Sequence, residues 1–433
     1  MIRDDVVIKD RCYFVIDMKS FFASVECAER GLDPMKAKLV VADETRGNKT
    51  VCLAVSTALK KCGVKNRCRL YEIPKNIDFI LAPPRMKKYI EYASNIYAIY
   101  LKYIDKNDIH VYSIDECFID ASDYLALYKM TAREFAEKLT KEIYDTLHIP
   151  SSVGVGTNMY LAKIALDITA KSAPDRLGML DEAKFIRTLS HHKPLTDFWQ
   201  ISVGTVSRLE KYGITDMAGI RAFDEDLLYK EFGVNAELLI DHAWGRESCE
   251  MKDIKSYKTR SRSISMSQIL PYNYTYEEAV VVLKEMLQEG CYQLSTLGFS
   301  TQTAVVYVGY GDNKGSGSKG SVRFNVVTNL YSLMAQPILD IFSKVVDRKQ
   351  FVRKIGFSFG ALVPEEQEQY DFFSKNVAKQ KNVVKSVIKL KDKYGKNAVL
   401  KGLDLNEKAT QKERNEMIGG HRSGEKSEDV KKR

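Results

Sequence analysis

Val111-Tyr112-Ser113-Ile114-Asp115-Glu116-Cys117-Phe118-Ile119-Asp120 alternates apolar and polar residues. Val111, Ser113 and Asp115 fall on one side; Tyr112, Ile114, Glu116 and Phe118 fall roughly on the other. A period of two predicts β-structure. Two adjacent carboxylates interrupt the run. Neighbours in a regular strand point to opposite faces, so a hairpin turn or bulge is needed for both to reach one site. An acidic pair between Ile114 and Phe118 is costly to build without a cation beside it.

Upstream, Cys12-Tyr13-Phe14-Val15-Ile16-Asp17 is a short apolar run ending in an acid. It predicts a buried strand with Asp17 at its tip. Helical spacing follows from Ser20, which is placed to cap that helix. Residues 38–44 and 51–55 predict two strands around a polar loop. A helix over 56–63 carries Lys60 and Lys61 and is closed by Gly63. Residues 85–104 predict an amphipathic helix with Tyr89, Tyr92, Ile96, Ile99 and Tyr103 near a 3.6 period.

Downstream, 131–147 predicts a helix with Phe135, Leu139 and Ile143 inward, stopped by Pro150. Ser151 to Gly156 is a short strand. Thr157-Asn158 opens a helix through Leu161, Ile164 and Ile168 that carries Lys163. Two helices on one face of an antiparallel sheet make the ferredoxin-like arrangement. Residues 181–248 read as short helices broken by glycines, and 249–260 as polar, basic linker. Residues 261–360 change to a second α+β pattern, with a hairpin tip at 311–320. The chain from 366 is lysine-rich, helical over 376–394 and loose beyond.

A chain of 433 residues is too long for one core. With 45% hydrophobic and 28% charged residues it has the make-up of a soluble globular protein. No run reaches the length of a membrane span and no signal-peptide pattern opens the chain, so a cytoplasmic, non-membrane protein is expected. Eight cysteines without a CxxC pair fit reduced thiols. The net charge of +9 is compatible with a polyanionic partner.

Asp17, Asp115 and Glu116 form a set of three carboxylates, and Lys60 and Lys163 lie on helices able to face the same cleft. Converging carboxylates repel and call for divalent metal. Oxygen donors without His or Cys favour Mg²⁺, with Mn²⁺ as a substitute, over zinc. Two such ions about 3.5–4 Å apart clamp the attacking and leaving oxygens of phosphoryl transfer. Nearby lysines then neutralise a triphosphate.

Three segments together resemble the Y-family translesion DNA polymerases, in particular the UmuC-like UV-damage-repair branch of Gram-positive bacteria. They are Ile16-Asp17-Met18-Lys19-Ser20-Phe21-Phe22-Ala23-Ser24-Val25-Glu26, Tyr112 to Asp120, and Ser152-Val153-Gly154-Val155-Gly156-Thr157-Asn158-Met159-Tyr160-Leu161-Ala162-Lys163. The resemblance implies an α+β right-hand polymerase with a ferredoxin-like palm (1–32 and 86–180), small fingers (33–85) and a helical thumb (181–248). A linker (249–260), a DNA-binding little finger (256–363) and a tail (364–433) would follow.

It implies Asp17, Asp115 and Glu116 as catalytic metal ligands for two Mg²⁺ ions, with the Met18 carbonyl completing the set. Phe22 would be the steric gate against a ribose 2′-hydroxyl. Phe21, Phe22, Ser56, Thr57, Lys60 and Lys163 would bind the deoxynucleoside triphosphate. Gln369-Tyr370-Asp371-Phe372-Phe373 resembles a pentapeptide that binds the bacterial sliding clamp. Lys314, Lys319, Arg323 and Arg353 are candidates for sequence-independent contacts to primer-template DNA. The implied function is template-directed DNA synthesis past damaged bases. The alternative is a polymerase-like scaffold that binds DNA and clamp with little activity of its own. A recombinase filament and an activating subunit are further candidate partners.

Overall fold

The computed structural model describes residues 11–259, 262–311, 317–368 and 376–424. Lys314 and Gln369 to Phe373 lie outside them. The chain forms two compact units, the first running to Tyr257 and taking in Gly424, the second running from Lys258 to Ser423.

The first unit is built on a five-stranded sheet. Its spatial order is Ile109–Val111, Glu116–Asp120, Tyr13–Met18, Ser151–Gly156, Leu177–Leu180. The first four strands are antiparallel and the last pairs parallel to Ser151–Gly156. The strand Tyr13–Met18 is apolar on both sides because both faces are covered. The helices Met86–Leu101 and Ala132–Leu147 pack against each other, and Phe135, Leu139 and Ile143 are buried. Thr131 caps the second of these through a reciprocal bond with Glu134. The helix Met159–Ile164 covers the other face, where Met159 and Ala162 pack on Tyr13, Val15 and Phe118. This is the ferredoxin-like arrangement with one added strand.

A three-stranded sheet (Ala54–Val55, Leu39–Val41, Ile80–Ala82) and the helix Thr57–Lys61 fill residues 39–82. Short helices from Glu182 to Ala243 share a core with Tyr160 and Leu161.

The stretch 249–260, polar enough to read as linker, holds the helix Met251–Ser256. Met251 is buried beside Tyr13 and Val15, and Lys255 Nζ donates to the carbonyls of Lys106 (3.0 Å) and Ile109 (2.6 Å). Ile254 and Cys249 also pack against this cluster, and so few residues do not change the composition.

The second unit is a sheet ordered Gly317–Thr328, Phe299–Tyr310, Val352–Gly360, Ile264–Tyr274. The helices Tyr276–Leu297 and Tyr331–Val345 lie over a core of Val306, Phe342, Phe357 and Phe359. Residues 317–320, read from the sequence as part of a hairpin tip, belong to the strand Gly317–Thr328. These residues pair with Val306 to Gly309. A Cβ on Gly320 would stand 2.8 Å from Val345, so the glycine lets the helix close on the strand.

Between the helix Val377–Tyr394 and Gly424 the chain is folded, not loose. Buried Glu285 accepts the backbone N–H groups of Thr410 (2.8 Å) and Gln411 (3.1 Å) and the Thr410 hydroxyl (2.5 Å). Lys401 also bonds Gln288, and the Tyr274 hydroxyl donates to the Lys408 carbonyl (3.2 Å); these partners are distant in the chain, so nothing local in 395–423 signals them.

Candidate active site

Asp17 and Glu116 are direct partners across adjacent antiparallel strands. Partners in such a pair project to one face. The hairpin turn joining Val111 to Glu116 is tight: Tyr112 and Ser113 N–H groups both donate to the Glu116 carbonyl (3.0 and 3.1 Å). Asp115 sits in that turn, its carboxylate receiving the Ser113 hydroxyl at 2.6 Å. Its carbonyl accepts the Met18 N–H at 3.0 Å, which ties the turn to the strand tip. The three acids therefore gather at one end of the sheet.

Glycines bring the lysine to them. A Cβ on Gly154 or Gly156 would stand 2.1–2.2 Å from the backbone of Ala162. Without side chains at these positions the helix Met159–Ile164 lies directly on the strand. Lys163 Nζ then reaches 2.7 Å from Glu116 Oε1 and 3.1 Å from Asp167 Oδ2. The approach to Oε1 has the distance of an ion pair but not the direction of a hydrogen bond, so that buried oxygen has no directed donor. Asn158 caps the helix by accepting the Leu161 N–H.

The electrostatics follow from crowding. Burial, then the charges of Asp115 and Glu116, push the Asp17 carboxyl up to about 7, against the pull of Lys163 and Lys19. Burial also raises Glu116, and Lys163 offsets only part of it. Burial works against the Lys163 charge too, but Asp167 and Glu116 outweigh it and hold its pKa above the ordinary value. Lys60 donates to the Ser20 hydroxyl at 2.9 Å. Burial and the charge of Lys19 lower its pKa.

A hard divalent cation fits this donor set: carboxylate oxygens only, mutually repelling, one of them buried without a directed donor. Among the described residues no three acid, His or Cys side chains are gathered around one point. Glu116 is turned to Lys163 and Asp115 to Ser113, which keeps the carboxylates apart.

The other expected residues divide. Phe22 is half-buried and stacks on Tyr89, with ring centroids 4.5 Å apart and 19° between planes. Phe21 is core, 3% exposed, so its side chain is not free to touch a nucleotide. Ser56 is also withdrawn: it is buried and its hydroxyl accepts the Leu39 N–H at 3.0 Å. Thr57, the first residue of its helix, stays half-exposed. Ser20 does not cap its helix; it stands at φ 48° with its hydroxyl facing Lys60. Asp120, at the far end of its strand, holds the Ser122 N–H (3.1 Å) and Arg11 (3.4 Å).

In the second unit Lys319 and Arg323 are exposed on the sheet face away from the helices. Arg353 is half-buried and donates to the Leu270 carbonyl. Lys354 is the exposed cation there, its Nζ 5.7 Å from the centre of the Tyr307 ring. Alternation of buried Ile355, Phe357 and Phe359 was the signal for Lys354. Lys19, two residues after Asp17 in the chain, was missed as a neighbouring cation.

Residues 16–167 match the impB/mucB/samB family and 261–372 match the C-terminal domain of the same family, together more than half the chain. UV-damage repair protein UvrX of Bacillus subtilis (strain 168) is 28% identical, over 94% of this chain and 97% of its own. DNA polymerase IV 2 of the same organism is 29% identical, over 96% of this chain and all of its own. A solved Y-family DNA polymerase chimera superposes with a TM-score of 0.64 at 22% identity, covering 82% of this chain and 99% of that one, a likeness of fold. The chain belongs to the impB/mucB/samB family, and its fold is that of a Y-family DNA polymerase.

Proposed function

We propose that this protein is a template-directed DNA polymerase that extends primers past damaged template bases. The observation that carries the reading is the pairing of Asp17 with Glu116 at a sheet end, with Asp115 in the adjoining turn and Lys163 against Glu116. Relatives named as a DNA polymerase and a UV-damage repair protein, aligned over nearly their full length, support it.

Asp17, Asp115 and Glu116, with the Met18 carbonyl, would hold two Mg²⁺ ions, for which Mn²⁺ could substitute. Such ions supply charge to the attacking and leaving oxygens of nucleotidyl transfer. Lys163 and Lys60 flank the acids and meet the charge of a deoxynucleoside triphosphate, and Phe22 closes the sugar side. The open sheet face with Lys319, Arg323 and Lys354 takes primer-template backbone without reading sequence. Gln369 to Phe373 would engage a sliding clamp. A cytoplasmic setting fits this work; among the described residues no helix is long and apolar enough to cross a membrane.

Replacing Asp115 and Glu116 together with Ala is expected to reduce Mg²⁺-dependent primer extension by roughly a hundredfold or more. Binding of primer-template, followed by fluorescence anisotropy, should persist. Undiminished extension would end the polymerase reading and leave the scaffold.

A further inference from the structure

The helix Phe21–Ala28 carries Glu26 one turn after Phe22, on the same side. Glu26 has no exposed surface, and its carboxylate is fully engaged. Oε1 accepts the Tyr89 hydroxyl (2.8 Å) and Arg85 Nε (2.9 Å); Oε2 accepts Arg85 Nη2 (2.9 Å) and Arg30 Nη1. The two-pronged Arg85 grip fixes direction as well as distance. Arg85 immediately precedes the helix Met86–Leu101 and Tyr89 lies in its first turn.

Tyr89 closes a loop with the first helix. Its hydroxyl is bonded to Glu26 while its ring supports Phe22. Tyr89 is itself completely buried, so its ring has nowhere to move. Phe22 is only half-buried, and its exposed side has no such restraint. The height of the Phe22 ring is therefore set by Tyr89 beneath it.

We infer that Tyr89, tethered through Glu26 and Arg85, is a positioning residue for sugar selection. The inference rests on Phe22 being the gate. A ring rejects a 2′-hydroxyl only if it cannot yield, because a tolerant apolar wall discriminates weakly against one added hydroxyl. A Phe22 ring without its platform can tilt away and admit the ribonucleotide. Tyr89 touches no reacting atom and acts through Phe22.

The test is single-nucleotide incorporation by the full chain, comparing kcat/KM for a deoxynucleotide and the matching ribonucleotide. Tyr89→Leu removes the platform and is expected to lower the deoxy-over-ribo ratio by about tenfold. Tyr89→Phe keeps the ring and drops the tether, and should lower it by a smaller factor, mainly through a lower KM for the ribonucleotide. A role in packing alone would slow both nucleotides together and leave the ratio where it was. An unchanged ratio in folded Tyr89→Leu overturns the inference. If that variant does not fold, an unchanged ratio in Tyr89→Phe overturns it. Phe22→Ala is the control beneath both: if it leaves the ratio unchanged, the gate reading itself fails.

Discussion

Lys163 is 7% exposed and stands between two carboxylates, Glu116 and Asp167. Removing it leaves buried negative charge without compensation. Lys163→Met is expected to destabilise the protein by about 1–3 kcal/mol in the absence of divalent ions, read by thermal melting. Mg²⁺ should then raise the melting temperature of the variant more than that of the parent, since an ion would replace the lost ammonium. Equal rises in both would count against the carboxylates as an ion site. Phe21 lies inside the segment 16–26 and Ser56 just before Thr57, and neither the burial of the first nor the hydroxyl–backbone bond of the second is written in a short motif.

At the scale of elements, the close seat of the helix Met159–Ile164 on the strand Ser151–Gly156 places Lys163. Gly156→Ala would put a Cβ 2.2 Å from the Ala162 nitrogen. The helix must lift, at an expected cost of about 1–3 kcal/mol in urea unfolding. Primer extension should fall with it, because Lys163 moves with the helix. Retention of full stability would show that the helix has slack the geometry does not suggest. Elements with strong periodicity were legible. The helix over Ala132–Leu147 has its apolar residues at the spacing that a one-sided core demands, and the Tyr13–Met18 strand is apolar from Tyr13 to Ile16 because it is covered twice. The helix Met251–Ser256 and the strand at Gly317 were not legible. The former docks through a few residues of a polar stretch, and the latter pairs by backbone groups that glycine supplies as well as any residue.

Over the whole molecule, the candidate acids and the candidate cations for DNA lie in different units. The first holds its acids at one sheet end. The second shows an open sheet face with Lys319, Arg323 and Lys354 around Tyr307. Replacing these three cations with Ala is expected to weaken primer-template binding at every sequence. If each meets one phosphate, the slope of log affinity against log salt should shrink by about 0.9 per contact. An unchanged slope, measured by anisotropy from low to moderate salt, would move the DNA path elsewhere.

Local pattern determined the strands Tyr13–Met18 and Ser151–Gly156 and the helices Met86–Leu101 and Ala132–Leu147, and placed Asp17 at a strand tip and Asp115-Glu116 at a hairpin, because burial imposes a period on a chain of two-faced elements. Composition could not show that Met251–Ser256 folds back, or that Glu285 accepts from Thr410 and Gln411, because each segment is held by a few contacts to residues far away in the chain. Nor could it show that Glu116 lies opposite Asp17, that Lys163 reaches it, or that Phe22 rests on a tyrosine bonded to Glu26. Those are facts of register and of helix height above a sheet. They depend on which atoms two distant segments leave room for, and only the folded chain decides that.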